Sequence, residues 1–197
     1  IREYICNFIM SKLETNTIDT VSGTTNLTIG STNSSTVTFE NGAATGHMYP
    51  AFAAYLSSDQ TINDVTETKV PNNVEIFDTD NCYDNSTNYR FTPTIAGKYF
   101  VYARVNIDDA AGNNRNTINY IYKNGSRIIE AMVNFHSGDT TDGESASVTI
   151  TTIVDMNGSS DYLEQYALGD TVNGGTTQIK GAAGKQQTEF GAYRIGS

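Results

Sequence analysis

Beyond residue 50, apolar and polar residues alternate in short runs that are separated by Gly, Asn and Asp. Alternation with a period of two is typical of a strand with one buried face, and the intervening residues favour turns. Such runs occur at 51–56, 74–77, 99–107, 117–122, 127–133, 147–156, 161–168 and 189–195. The pattern predicts an all-β domain of about eight strands or more, arranged as a sandwich.

The run at 99–107 departs from simple alternation. Tyr99 and every second residue after it form one apolar face, but Phe100 and Tyr102 on the other face are apolar as well. A sandwich interior covers only one face of a strand. The second face therefore requires another chain, a ligand or a neighbouring loop.

A tight turn is predicted between the runs at 117–122 and 127–133. Asn124 and Gly125 stand between them, and this pair is preferred where both central residues of a two-residue hairpin turn need positive φ.

The chain before this domain differs from it in composition. Residues 10–46 are rich in Thr, Ser and Asn, with small apolar pairs about every ten residues. This predicts either a stem of short strands that stack or associate between chains, or a disordered polar leader. We expect residues 1–9 to be a non-native or poorly integrated extension, because Met10 resembles a natural start. Residues 47–50 form a seam, that is, a short connection, and residues 51–197 form the globular head.

Composition and charge exclude several kinds of partner. Twelve basic against 22 acidic residues give a net charge of −10, which argues against nucleic acid and anionic lipid. No apolar run approaches the ~20 residues that span a bilayer, and no signal peptide is recognised near the start. We expect neither nucleic-acid binding nor membrane insertion.

Residues that carry chemistry are scarce. His47 and His136 have no recognisable nucleophile motif around them, and we expect no enzyme activity and no organic cofactor. Asp139, Asp142 and Glu144 crowd one loop, where carboxylate oxygens are candidate calcium ligands. The alternative is a solvated charged loop.

Several blocks in order resemble the globular head of the complement C1q and tumour necrosis factor (TNF) superfamily, over about residues 51–196. They are AFAAYL from Ala51, NCYDNSTNYRFTPTIAGKYFVYARV from Asn81, YKNG from Tyr122, DYL from Asp161 and FGAYRI from Phe190. The resemblance implies a ten-stranded jelly roll that assembles as a homotrimer, with the aromatic residues of one sheet around a three-fold axis. It places seven residues in the core or at the trimer interface without distinguishing the two: Phe52, Tyr99, Phe100, Tyr102, Tyr162, Phe190 and Tyr193.

The collagen stem of the complement proteins is absent, and the leader at 10–46 is similar to the amino-terminal regions of bacteriophage tail and appendage proteins. The resemblance implies a trimeric virion protein whose head adheres to a host-surface glycan or protein. Two alternatives remain open: a secreted or cell-surface binding or signalling protein, and a purely structural trimerisation cap.

Overall fold

The computed structural model describes residues 49–135 and 143–196. The predictions for 1–9, for the stem at 10–46 and for His47, His136, Asp139 and Asp142 lie outside these residues. Among the residues described, there is no helix long and apolar enough to cross a membrane.

The described chain forms thirteen strands, and all strand pairs are antiparallel. In chain order they are β1 (Ala51–Tyr55), β2 (Ser58–Ile62), β3 (Thr68–Lys69), β4 (Val74–Asp78), β5 (Tyr83–Asp84), β6 (Arg90–Phe91), β7 (Ala96–Asp108), β8 (Asn114–Lys123), β9 (Ser126–Asn134), β10 (Ser145–Asn157), β11 (Leu163–Thr171), β12 (Thr177–Ala182) and β13 (Glu189–Gly196).

The strands form two sheets that pack face to face. The first sheet has the order β10-β7-β13-β1-β4, and β12 and β2 extend it beside β7. The second sheet has the order β5-β6-β11-β8-β9, and β3 also pairs with β11. The predicted all-β jelly roll is therefore confirmed. Ten strands form its two five-stranded layers, and β2, β3 and β12 are additional.

Five strands are not predicted by the alternation, namely β2, β3, β5, β6 and β12. Three of them contain only two residues, and β2 and β12 read SDQTI and TQIKGA. The two-residue strands are too short to show a period, and β2 and β12 contain one isoleucine each, so none of the five produces a periodic apolar pattern.

The interior between the sheets contains two apolar clusters. The larger is aromatic: the Phe52 ring stacks on Tyr83 and on Phe91 with centroids 4.5 Å apart in both cases, and Phe190 meets Phe52 edge to face at 5.1 Å. The smaller is aliphatic and includes Val105, Ile107 and Ile179. Together they give the sandwich a closed core of its own.

A buried amide network crosses between the sheets where the two clusters meet. Asn119 Nδ2 on β8 donates to the β7 carbonyl of Ala103 at 2.9 Å and to the β10 carbonyl of Val148 at 3.1 Å. Gln165 Nε2 on β11 donates to Asn119 Oδ1 at 3.0 Å and to the carbonyl of Arg104 at 3.1 Å. Both amide side chains are fully buried, and their hydrogen bonds fix the position of one sheet on the other.

The hairpin turn lies where the sequence predicts it. Asn124 and Gly125 connect β8 to β9 with φ of 53° and 76°. The Asn124 side chain also reaches the chain before β11, where Oδ1 accepts from Tyr162 N at 2.9 Å and Nδ2 donates to Asp161 at 2.8 Å.

Candidate functional site: the outer face of the first sheet

The candidate site is the side of the first sheet that points away from the core, which we call the outer face. Along β7, Tyr99 and Val101 are fully buried in the core, whereas Phe100 and Tyr102 point outward and are half-buried. Strand pairing extends these two residues into rows across the sheet. One row is Ala51, Tyr193, Phe100 and Ile153; the next is Phe77, Ala53, Gly191, Tyr102 and Thr151.

These rows make the outer face apolar and aromatic. The rings of Phe100 and Tyr193 lie 5.3 Å apart, and Ile153 and Phe77 at the two ends of the rows are 59% and 47% exposed. Burial and, to a lesser extent, the charge of Glu189 raise the pKa of Tyr102, so its hydroxyl is neutral at physiological pH.

Gly191 allows the Tyr102 ring to lie flat against the sheet. A Cβ atom at Gly191 would stand 2.3 Å from Cζ of the Tyr102 ring, so only glycine leaves room for the ring in this position. The outer face is thus a packed surface in its own right, shaped before any partner binds.

Charged residues border the aromatic rows. Arg104 pairs with Glu189 across β7 and β13 at 3.7 Å and donates to the carbonyl of Gln186. Its Nε is buried and has no hydrogen-bond partner among the residues that the structure describes. At the other end, Lys98 Nζ lies 2.6 Å from Asp155.

The seven residues named by the resemblance are separated by the structure. Phe52, Tyr99 and Phe190 are fully buried in the larger cluster of the core. Phe100, Tyr102 and Tyr193 come together on the outer face, as described above. The seventh residue, Tyr162, belongs to neither group. Its ring centroid lies 4.6 Å from Cζ of the Arg90 guanidinium, beside the β8–β9 turn.

A second unusual surface is the side of the sandwich where β9 and β10 lie. Each is the last strand of its sheet, so each has one unpaired backbone edge among the described strands. β10 is thirteen residues long and carries Asp155 as its one charged residue. Between the two edges, Ile129, Ala131 and Val133 pack on the core but remain partly exposed. Long edge strands are normally interrupted, charged or covered, and β10 is long and carries a single charge.

The sequence indicates some of these features and misses others. It predicts the second apolar face of β7. It does not predict that Ile153 and Phe77 belong to the same surface, because strand pairing with β7 and β1 brings them there. The signal for Ile153 is its place on the exposed side of the run at 147–156, which otherwise carries Ser, Thr and Asp.

The candidate calcium site stays a prediction, because only Glu144 of its three ligands is among the residues described. Glu144 is exposed, and its carbonyl accepts from Asp109 N at 2.7 Å, while the other two ligands lie outside these residues. Within 49–135 and 143–196, no group of three or more His, Cys, Asp or Glu side chains could hold a metal ion.

Comparison with known proteins gives the fold and nothing finer. No family model matches the chain, and no curated protein matches it in sequence. Solved structures with a similar fold include Eiger TNF from S. frugiperda, with a TM-score of 0.54 at 9% identity, covering 77% of this chain and 95% of that one. They also include the globular domain of the zebrafish complement 1qA protein, with a TM-score of 0.50 at 11% identity, covering 74% of this chain and 97% of that one. Murine APRIL has a TM-score of 0.49 at 11% identity, covering 74% of this chain and 99% of that one. The described head therefore has the jelly-roll fold of TNF-like and C1q-like globular domains.

Proposed function

We propose that three copies of this chain assemble through the outer face into a trimeric head that acts by binding and not by catalysis. The observation that carries the proposal is the apolar outer face, where the half-buried rings of Phe100, Tyr102 and Tyr193 lie beside the exposed side chain of Ile153, on a sandwich whose core is already closed. Contiguous apolar patches of this kind mark interaction sites. TNF-like folds, which this head shares, generally form homotrimers.

The β9–β10 edge is the natural counterpart of the outer face. The two surfaces differ, so a contact between them is heterologous and closes into a ring when the rotation allows it. Each subunit would then cover the open edge of one neighbour and have its own edge covered by the other.

We further propose that the trimer is a virion appendage whose head adheres to a host-surface glycan or protein. The Thr/Ser/Asn-rich leader at 10–46, similar to that of bacteriophage appendage proteins, supports this reading. Three copies on one stem raise the effective concentration of a weak site. A secreted or cell-surface signalling protein is the second candidate, which the fold shared with Eiger TNF and the complement domain supports.

The mass of the native assembly at micromolar concentration tests the first step. We expect about three times the 21.4 kDa of the chain, and a monomer would contradict the proposed assembly. Ile153→Glu places a charge on the outer face and should give monomers. Val65→Glu, at an apolar residue that is 61% exposed but lies in the loop between β2 and β3, is the matched control and should remain trimeric.

Binding of fluorescent head to candidate host cells tests the second step. The trimer should bind at least a hundredfold more tightly than the Ile153→Glu monomer, because avidity is lost with the assembly. Equal binding by both would contradict a multivalent adhesin. Neighbouring genes that encode capsid or tail components would favour the virion reading over the secreted one.

A further inference from the structure

A polar cleft opens on the side of the sandwich opposite the β9–β10 edge. It lies where β4, the last strand of the first sheet, faces β5 and β6 of the second, and its volume is about 430 Å³. That volume is within the range of small-ligand sites. The amide and hydroxyl side chains that line it include Asn81, Asn85 and Thr92.

One wall of the cleft carries an arginine without an anionic partner. Arg90 on β6 pairs in register with Glu164, but the Glu164 carboxylate binds Lys69 Nζ at 2.6 Å. The Arg90 side chain stacks instead on the Tyr162 ring, which fixes its plane. Among the described residues no carboxylate lies within ion-pair distance of the Arg90 guanidinium, so its donors remain available to a ligand.

Glu75 on β4 is the opposite charge in the same cleft, and it has no cation within ion-pair distance in the described part of the chain. The Glu75 side chain is exposed, and limited desolvation together with the neighbouring charge of Asp78 raises its pKa. Glu75 and Arg90 therefore line one cleft without pairing, which leaves an acceptor and a set of donors for a third molecule.

The backbone around the cleft is held in place before any ligand binds. Asp84 accepts from the backbone N–H groups of Ser86, Thr87 and Asn88 at 2.9 to 3.1 Å, which fixes the loop between β5 and β6. On the other side, Asp78 accepts from Tyr83 N at 2.8 Å. These two carboxylates are committed to the protein, so the free groups are Glu75, Arg90 and the amides and hydroxyls. A fixed frame lowers the cost of ordering on binding.

We infer that this cleft binds a saccharide, whose vicinal hydroxyls accept from Arg90 and donate to Glu75 while the amide and hydroxyl side chains complete the hydrogen bonds. A sugar ring presents donors and acceptors on adjacent atoms, which matches a cleft where both kinds of group are free. An apolar peptide or acyl chain would leave both charges desolvated and unpaired. This inference rests on the proposed adhesin function and names the ligand class of the head.

The probe is a printed array of defined neutral and acidic saccharides, read with the intact chain, followed by calorimetric titration of the best-bound sugar. We expect Glu75→Gln and Arg90→Lys each to weaken that binding at least tenfold, the second because lysine cannot stack and bind bidentately. Glu67→Gln, at an exposed carboxylate in the loop between β2 and β3, is the control and should bind like the unaltered chain. A thermal unfolding curve for each variant shows that the fold is retained.

Full binding by both cleft variants, or no binding to any saccharide, overturns the inference. Each outcome is separable from the proposed function. A head that is trimeric and adheres to cells in a protease-sensitive manner, with no saccharide bound, contradicts the cleft assignment and leaves the adhesin with a protein partner. A monomer that binds sugar through Glu75 supports the cleft and contradicts the trimer.

Discussion

The space above Gly191 decides whether the outer face can form. A Cβ atom there would overlap the Tyr102 ring, so Gly191→Ala must displace either the ring or the strand. Overpacking of this kind costs about 1–3 kcal/mol. We expect Gly191→Ala to lower the free energy of unfolding by that amount in urea titrations and to weaken assembly as measured by native mass.

Gly196 on the same strand provides the control. A Cβ atom there meets nothing within 4 Å, so Gly196→Ala should leave both stability and mass unchanged. Equal effects of the two substitutions would show that the strand tolerates no side chain at all, and the specific role of the Tyr102 ring would be lost.

The carboxylate of Asp84 makes a prediction about pH. Hydrogen bonds from the backbone of Thr87, Ser86 and Asn88 and from the Asn88 side chain hold the pKa of Asp84 below its ordinary value. Because the folded pKa is depressed, this stabilisation is present above the unfolded pKa of about 3.9 and is lost as pH falls below it. Asp84→Asn removes the charge and places an amide NH₂ group, which can only donate, against the two N–H donors of Asn88.

We therefore expect Asp84→Asn to be less stable than the unaltered chain at pH 7, with a difference that shrinks as pH falls from 4 toward 2. Urea unfolding at a series of pH values measures it. A difference independent of pH would mean that the Asp84 charge contributes nothing and that only the shape of the side chain matters.

At the scale of elements, the β8–β9 hairpin combines a turn with a bridge. The sequence predicts the turn from Asn124 and Gly125, but it contains no sign that the Asn124 side chain holds the segment before β11. Asn124→Gly keeps the turn conformation and removes the bridge, and should cost about 1–2 kcal/mol in free energy of unfolding for two hydrogen bonds.

Asn124→Ala separates the two roles. Alanine loses the bridge and also resists the positive φ, by roughly 1–2 kcal/mol, so stability should fall in the order unaltered chain, Asn124→Gly, Asn124→Ala. If Asn124→Gly is as stable as the unaltered chain, the bridge to Tyr162 and Asp161 is incidental.

The elements show what sequence patterns can and cannot predict here. The long strand β10 follows directly from alternating side chains, because it buries every second residue along nearly its whole length. Short strands such as β5 and β6 exist because their neighbours hold them in place. The amide network of Asn119 and Gln165 is invisible to a pattern of apolar residues, since its hydrogen bonds join strands that are distant along the chain.

For the candidate site, the sequence predicts that β7 needs cover on both faces, and pairing then supplies the rest. Phe100 and Tyr102 are two positions apart in the sequence and therefore lie on the same face of β7. Tyr193 and Ile153 lie beside them only because of the register of β13 and β10 with β7. The cleft around Glu75 and Arg90 has no sequence signal, because its residues come from separate strands of two sheets.

At the scale of the whole molecule, the proposed assembly predicts how stability and exchange depend on concentration. Subunits that bind one another stabilise the folded state by mass action, so the unfolding temperature should rise with protein concentration, and the unfolding temperature of Ile153→Glu should not.

Amide hydrogen exchange shows which strands the assembly protects. In the trimer, peptides from β10 should be protected, because a neighbouring subunit covers the edge that is open in a single copy; in the Ile153→Glu monomer the same peptides should exchange faster. β2 is the control, since this mostly exposed edge strand lies beyond β12, outside the aromatic rows and the β9–β10 edge, and should exchange alike in both proteins. Protection of β10 that persists in the monomer would place its stability within one sandwich and remove the β9–β10 edge from the interface.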